Sequence, residues 1–117
     1  MFNKSLEYGR DFLNRQNTSF ELFLIKLSDL WINYEKDENL QEAMSGKPAV
    51  IILSRNGKVI YIEKSHSPGN LLFHHLEDGK KVSDLEKDYR AAVFSLHSGK
   101  NQEMKELYGF LKKRILT

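Results

Sequence analysis

Two short apolar runs separated by an Asn-Gly pair constrain this chain more than any other feature. Residues 49–53 (AVIIL) and 59–62 (VIYI) are rich in β-branched side chains, and Asn56-Gly57 lies in the polar segment between them. Because Asn and Gly tolerate the positive φ angles of a tight hairpin turn, the pattern predicts two antiparallel strands. The first run has almost no polar alternation, so we expect a central strand that is covered on both faces.

The second half of the chain continues with helix signals and a third apolar run. An N-cap residue followed by Pro is typical of a helix start, and a run rich in aromatic and β-branched residues indicates a strand. The elements predicted after the hairpin are a helix opening at Ser67-Pro68, a short helix over residues 84–88, a strand over residues 89–96 and a closing helix over residues 102–115. The order β-β-α-α-β-α from residue 47 onward predicts an α+β fold, with a small three-stranded antiparallel sheet flanked by helices.

The first 46 residues predict an N-terminal helical extension of the same domain. Residues 3–16 indicate one helix, and Thr18 with Glu21 matches a capping box for a second helix over residues 20–34. A short third helix is predicted over residues 38–44. The broad apolar face of the second helix indicates either burial in the core or contact with a partner. That face comprises Phe20, Phe23, Leu24, Leu27, Leu30, Trp31 and Tyr34.

Composition excludes several classes of function. A chain of 117 residues predicts one domain, and no run of about eighteen apolar residues predicts a membrane span. The absence of cysteine excludes disulfides, thiolate zinc sites and thiol catalysis, and it fits a cytoplasmic protein. The first residues lack the layout of a secretory signal. The net charge of +2 permits nucleic-acid binding without arguing for it.

The segment GKVIYIEKS, residues 57–65, resembles the second motif of the GIY-YIG nuclease family. The resemblance extends over about residues 47–115, because the predicted order of strands and helices is the family's order. It implies that Tyr61 is the motif's tyrosine, that His75 is the histidine of the following helix, and that Glu106, or less well Glu103, binds a divalent metal. Magnesium or manganese would then be the cofactor of a phosphodiester-cleaving enzyme.

The sequence departs from the family's pattern at the positions that carry chemistry. Glu63 replaces the Gly of the second motif, and Val50 stands where the first motif's Tyr belongs. The helix Arg would fall near Leu71, and residues 65–77 contain no Arg. Removing one group that stabilises developing charge typically costs about 10²–10³ in rate. The pattern therefore favours a non-catalytic protein on a GIY-YIG-like scaffold that binds DNA or another protein. The lysines assigned to nucleic-acid binding are Lys58, Lys64, Lys80 and Lys81.

Two alternatives remain open. One is a weak or atypical metal-dependent endonuclease that uses Tyr61, His75, Lys64 and Glu106. The other is a protein-interaction module that acts through the N-terminal helix around Trp31. Two further clusters have plainer interpretations: the histidines indicate solvated or core-edge side chains rather than zinc ligands, and the cations that end the last helix suit a helix C-terminus as well as a phosphate. These residues are His66, His74, His75 and His97, and Lys112, Lys113 and Arg114.

Overall fold

A four-stranded antiparallel sheet organises this protein. In the computed structural model, which describes residues 2–27, 38, 41, 47–68, 71, 89–97 and 100–115, two helices and four strands follow one another along the chain. The elements are α1 (Phe2–Arg15), β1 (Phe20–Lys26), β2 (Ala49–Arg55), β3 (Lys58–Ser65), β4 (Tyr89–Leu96) and α2 (Asn101–Ile115). The strand order is β1-β4-β2-β3, and every neighbouring pair is antiparallel. The prediction of an α+β fold with an antiparallel sheet is confirmed.

The hairpin forms as the sequence predicts. Asn56 and Gly57 have φ angles of 53° and 82°, the positive values that a two-residue turn between twisted strands requires. β2 is central and is buried at every residue except Arg55, because neighbouring strands flank it and both faces of the sheet are covered. The predicted third strand and the closing helix are also confirmed, as β4 and α2.

The sheet has a fourth strand because residues 20–26 are extended rather than helical. The predicted helix over residues 20–34 is therefore wrong in its first part, and residues 28–37 lie outside the described residues. Phe20 and Leu22 pack towards one layer of the core, whereas Phe23 and Ile25 pack towards the other. A strand with apolar residues on both faces has no period-two alternation, and here its residues also satisfy helical spacing.

The residues read as a helix start instead end α1. Asn17 has a φ of 54°, and its N–H donates to the Asn14 carbonyl at 3.1 Å. The Thr18 N–H donates to the Leu13 carbonyl at 2.9 Å. These two bonds form a Schellman motif, which satisfies carbonyl groups at a helix C-terminus. Thr18 thus closes the helix predicted over residues 3–16 and does not cap a second one.

Two apolar layers enclose the sheet. On one face, α1 and α2 run antiparallel to each other, since Phe12 stacks on Phe110 at 4.6 Å and Tyr8 lies near Arg114. The layer beneath them includes Leu6, Leu13, Val50, Ile52, Phe94, Leu107 and Leu111. The layer on the opposite face includes Ile25, Leu27, Ile51, Leu53, Ala91 and Val93, with Leu71 packed against it. The core therefore lies on both sides of β2 and β4.

Some predicted elements are described only in part. Pro68 and Leu71 are helical, and the Leu71 N–H donates to the Ser67 carbonyl at 3.1 Å, which fits the predicted helix start. In the predicted helix over residues 38–44, only residues 38 and 41 are described, and both are helical. The predicted helix over residues 84–88 lies outside the described residues. Within the described ranges, no helix has the length and apolar character needed to cross a bilayer.

Candidate anion-binding site at one end of the sheet

Four cations occupy the last two cross-strand rows of the sheet. Lys26 lies opposite Arg90 in the β1–β4 pair, and Arg55 lies opposite Lys58 in the β2–β3 pair. Arg90 is in turn opposite Ser54, the residue before Arg55. Because successive residues of a strand point to opposite faces, Lys26 and Arg90 lie on the face that carries α1 and α2, and Arg55 and Lys58 lie on the other face. All four side chains are exposed. We call this group the cationic end: Lys26, Arg55, Lys58 and Arg90.

Placing like charges opposite one another opposes folding. Cross-strand pairs contribute roughly 0.2–1 kcal/mol each, and like charges directly opposite are destabilising. The partners of the cationic end in these two rows are the uncharged residues Ser54, Val59 and Tyr89, so the register itself supplies no carboxylate. A bound anion would relieve this repulsion, which makes the cationic end suited to a negatively charged ligand.

The backbone at this end is tied to the first turn of α1. The Phe2 N–H donates to the Gly57 carbonyl at 3.2 Å, which fixes the helix start against the hairpin turn. The Ser54 hydroxyl, which is fully buried, donates to the Arg90 carbonyl at 3.1 Å. These bonds fix β2, β4 and the hairpin turn relative to one another. The cations therefore project from hydrogen-bonded strands rather than from free loops.

α2 brings further cations towards the same end. Its first residue, Asn101, bonds His66 beyond the end of β3, whereas Tyr108 contacts Lys64 further back along that strand. α2 therefore runs antiparallel to β3 and points towards the hairpin turn. Its last turn carries three cations, Lys112, Lys113 and Arg114. The C-terminal cluster read from the sequence thus lies on the half of the molecule that holds the cationic end.

Aromatic rings of the helices contact Lys64 of β3 and two of the cations of α2. The Lys64 Nζ lies 4.2 Å from the centroid of the Tyr108 ring, and the Lys112 Nζ donates to the Tyr108 hydroxyl at 3.1 Å. That hydrogen bond raises the pKa of Lys112. The Arg114 guanidinium lies 5.1 Å from the Phe110 centroid and 5.5 Å from that of Tyr8. Cation–π contacts of this kind orient side chains that otherwise sample many rotamers.

Tyr61, the predicted catalytic residue, is half-buried on β3. Its ring packs against the apolar layer on the face away from α1 and α2, and its hydroxyl lies 3.5 Å from a Glu63 carboxylate oxygen. Burial, and then the nearby Glu63 carboxylate, raise the pKa of Tyr61. The phenol therefore stays protonated at neutral pH, and this environment opposes rather than favours its use as a general base.

The predicted metal ligand lies on the exposed surface of α2. A Glu106 carboxylate oxygen accepts a hydrogen bond from Gln102 at 3.0 Å, and Glu103 is half-buried one turn earlier. Within residues 2–27, 38, 41, 47–68, 71, 89–97 and 100–115, no three histidine or carboxylate side chains converge as a metal-binding group. The part of the chain described here thus offers Glu106 as a single carboxylate, and magnesium or manganese stays a prediction.

The remaining predicted residues divide between described and undescribed positions. Lys58 belongs to the cationic end, and Lys64 lies on Tyr108. His66 bonds Asn101, whereas the two ring nitrogens of His97 each lie 3.3 Å from a partner, Ser19 and Glu21. The other predicted residues, His74, His75, Lys80, Lys81 and Trp31, lie outside the described residues.

Sequence reasoning missed Lys26, Arg55 and Arg90. Lys26 fell inside a segment read as a helix, and the two arginines are unremarkable until the register pairs them with other cations. The available signal was that a basic residue lies within two positions of one end of each predicted strand: Arg55 after residues 49–53, Lys58 before residues 59–62, and Arg90 at the second position of residues 89–96. Comparisons of this chain with protein-family models, with curated proteins and with solved structures gave no match.

Proposed function

We propose that this protein binds nucleic acid without cutting it, through the phosphate backbone and the cationic end. The observation that carries the proposal is the cross-strand register, which sets four exposed cations in two adjacent rows at one end of the sheet, two on each face. Neutralisation of phosphates by Lys and Arg supplies most of the affinity of a non-specific nucleic-acid complex. Two cations of α2, Lys112 on Tyr108 and Arg114 on Phe110, add positive charge on the same half of the molecule.

Three positions support binding rather than hydrolysis on a GIY-YIG-like scaffold. Val50, at the place of the first motif's Tyr, is fully buried and has no hydroxyl. Leu71, near the place expected for the helix Arg, is apolar and packs against the core. The raised pKa of Tyr61 keeps its proton in place. A phosphoryl-transfer site needs groups that stabilise developing charge, and these positions supply none.

Fluorescence anisotropy with labelled single-stranded and double-stranded DNA tests the proposal. The test variant is Arg55→Ala with Lys58→Ala, which removes two exposed cations from the cationic end. The matched control is Lys47→Ala with Lys105→Ala, because Lys47 precedes the other end of β2 and Lys105 lies in the first half of α2. All four side chains are exposed, so circular dichroism should show both variants folded.

We expect the test variant to weaken DNA binding and the control to leave it nearly unchanged. On single strands, the slope of log affinity against log salt changes by about 0.7 for each phosphate contact, so the test variant should lose roughly 1.4 units. Equal weakening by both variants would mean that overall charge, not the cationic end, drives binding. A wild-type protein that binds neither DNA at low salt would overturn the proposal.

The nuclease alternative has its own assay. Plasmid nicking with magnesium or manganese is compared between the wild-type protein and the variants Tyr61→Phe and Glu106→Ala. Metal-dependent cutting that both variants abolish would replace our proposal with the nuclease. DNA binding without cutting in either metal favours the non-catalytic protein.

A further inference from the structure

A cavity of about 650 Å³ opens beside the cationic end, between the sheet and the first turn of α1. Its volume is within the range of about 300–1,000 Å³ that is typical of small-ligand sites. Strand alternation puts Leu24, Lys26, Arg90 and Ser54 on the face that carries α1, and these residues form the floor. The first residues of α1, including Phe2 and Leu6, form the wall.

The lining combines a charged part with an apolar part. Lys26 and Arg90 adjoin each other across the β1–β4 pair and supply two positive charges at one place. Next to them Leu24 is 61% exposed, although it is a large apolar residue in a strand. Leu24 offers an apolar surface to a flat or hydrophobic group, beside the largely buried Leu6 and Phe2 of the wall. A ligand that matches both parts carries concentrated negative charge on one side and a weakly polar body on the other.

The paired cations distinguish between two kinds of phosphate. A phosphodiester inside a nucleic-acid strand carries one negative charge, whereas a phosphate monoester carries about −1.5 to −2 at pH 7. Two adjacent cations therefore match a monoester better than a diester. Within a nucleic acid, a monoester occurs only at a phosphorylated end, where the terminal base is also free to leave its stack.

We infer that the cavity binds a nucleotide that carries a phosphate monoester, with the phosphate at Lys26 and Arg90 and the base against Leu24. This inference rests on the proposed function, and it names the part of the nucleic acid that the cavity binds: the phosphorylated end of a strand. A free nucleoside monophosphate presents the same chemistry, so the experiment must separate the two sources.

The experiment compares single-stranded DNAs of identical sequence, about twelve nucleotides long, that carry a phosphate at the 5′ end, at the 3′ end or at neither end. Affinities come from fluorescence anisotropy with a dye placed in the middle of the strand. Adenosine monophosphate is titrated separately by isothermal calorimetry. The variants are Lys26→Ala, Leu24→Ser and, as a control outside the cavity lining, Lys58→Ala.

We expect one phosphorylated strand to bind about tenfold more tightly than the unphosphorylated strand. Lys26→Ala and Leu24→Ser should reduce that ratio towards one, whereas Lys58→Ala should weaken both strands and preserve the ratio. Lys26→Ala removes a repulsion in the folded state, so loss of folding is not expected to hide the result.

The remaining outcomes separate this inference from the proposed function. Equal, salt-sensitive binding of all three strands would overturn the terminal-nucleotide inference and leave nucleic-acid binding standing. Binding of adenosine monophosphate that Lys26→Ala weakens, with no binding of any strand, would support the cavity but identify the free nucleotide as its ligand. Failure of every strand and of the mononucleotide to bind would overturn both.

Discussion

Lys26 on β1 lies directly opposite Arg90 on β4, at the rim of a cavity and within a sheet row that contains no carboxylate. Like charges that lie opposite one another in the register oppose strand association. A site for an anion is well served by two such cations. Both attract the anion, and the bound anion reduces the repulsion between them. Stability and binding should consequently respond in opposite directions to changes at this position.

Lys26→Glu is the sharpest test of that opposition. The new carboxylate faces Arg90, so the free energy of unfolding should rise by about 0.5–1 kcal/mol, as measured by urea denaturation. Affinity for single-stranded DNA at low salt should fall roughly tenfold. Lys47→Glu, at the other end of the sheet, makes the same charge change as a control. A variant that loses both stability and affinity would show that Lys26 has a structural role instead.

Gly9 sets the distance between α1 and the sheet. A Cβ atom at Gly9 would lie 2.5 Å from the Cζ of Phe94, whose side chain is fully buried. Gly9→Ala should destabilise the protein by about 1–3 kcal/mol, despite the roughly 1 kcal/mol that Ala contributes to a helix. Gly109→Ala, in α2, meets nothing within 4 Å and should stabilise the protein by up to about 1 kcal/mol. Equal effects of the two substitutions on the denaturation midpoint would contradict this packing.

The hairpin turn should reject a side chain at Gly57 for a different reason. A Cβ there meets nothing within 4 Å, but the residue has a φ of 82°, which L-amino acids rarely adopt. Gly57→Ala should therefore cost about 1–2 kcal/mol through backbone strain alone. Asn56→Gly, at a φ of 53°, keeps a permitted conformation and should change stability by only a few tenths of a kcal/mol. Thermal melts of the two variants measure the contrast.

Local chemistry made the hairpin, β4 and the two described long helices predictable. Asn56-Gly57 encodes its turn in two residues, and the apolar run before it needs no partner to be recognised as a strand. β1 could not be predicted in the same way, because its residues fit both helical spacing and a strand buried on two faces. Thr18 and Glu21 also matched the capping box of a helix N-terminus, although Thr18 lies at the C-terminal end of α1.

The cationic end depends on information that no single segment contains. Lys58 was predicted to bind nucleic acid because it lies in the motif segment. Arg55 and Arg90 become its neighbours only when β2, β3 and β4 pair in their register. Lys26 and Arg90 come from distant parts of the chain and meet through tertiary pairing. The alternation of residues within a strand predicts which face of the sheet a side chain lies on. It does not predict which residue of another strand lies opposite.

The pKa of Tyr61 distinguishes two possible roles of this residue: a protonated side chain of the sheet, and the catalytic phenol of the nuclease alternative. Burial is the larger cause of its raised pKa and the Glu63 carboxylate the second, so the phenol should titrate above its ordinary value of 10.0. Absorbance titration near 295 nm, taken as the difference between the wild-type protein and Tyr61→Phe, isolates this one tyrosine among five. Glu63→Gln should move the midpoint down without restoring the ordinary value, because burial remains.

Stability provides an independent check on the same group. A folded-state pKa above the unfolded value means that the folded protein holds the Tyr61 proton more tightly. The stabilisation is therefore complete below about pH 10 and is lost as the pH rises through the raised pKa, so Tyr61→Phe should flatten the decline in unfolding free energy over that window. A midpoint below 10.0 would instead describe an activated phenolate, and it would favour the nuclease alternative, in which Tyr61 acts on phosphate.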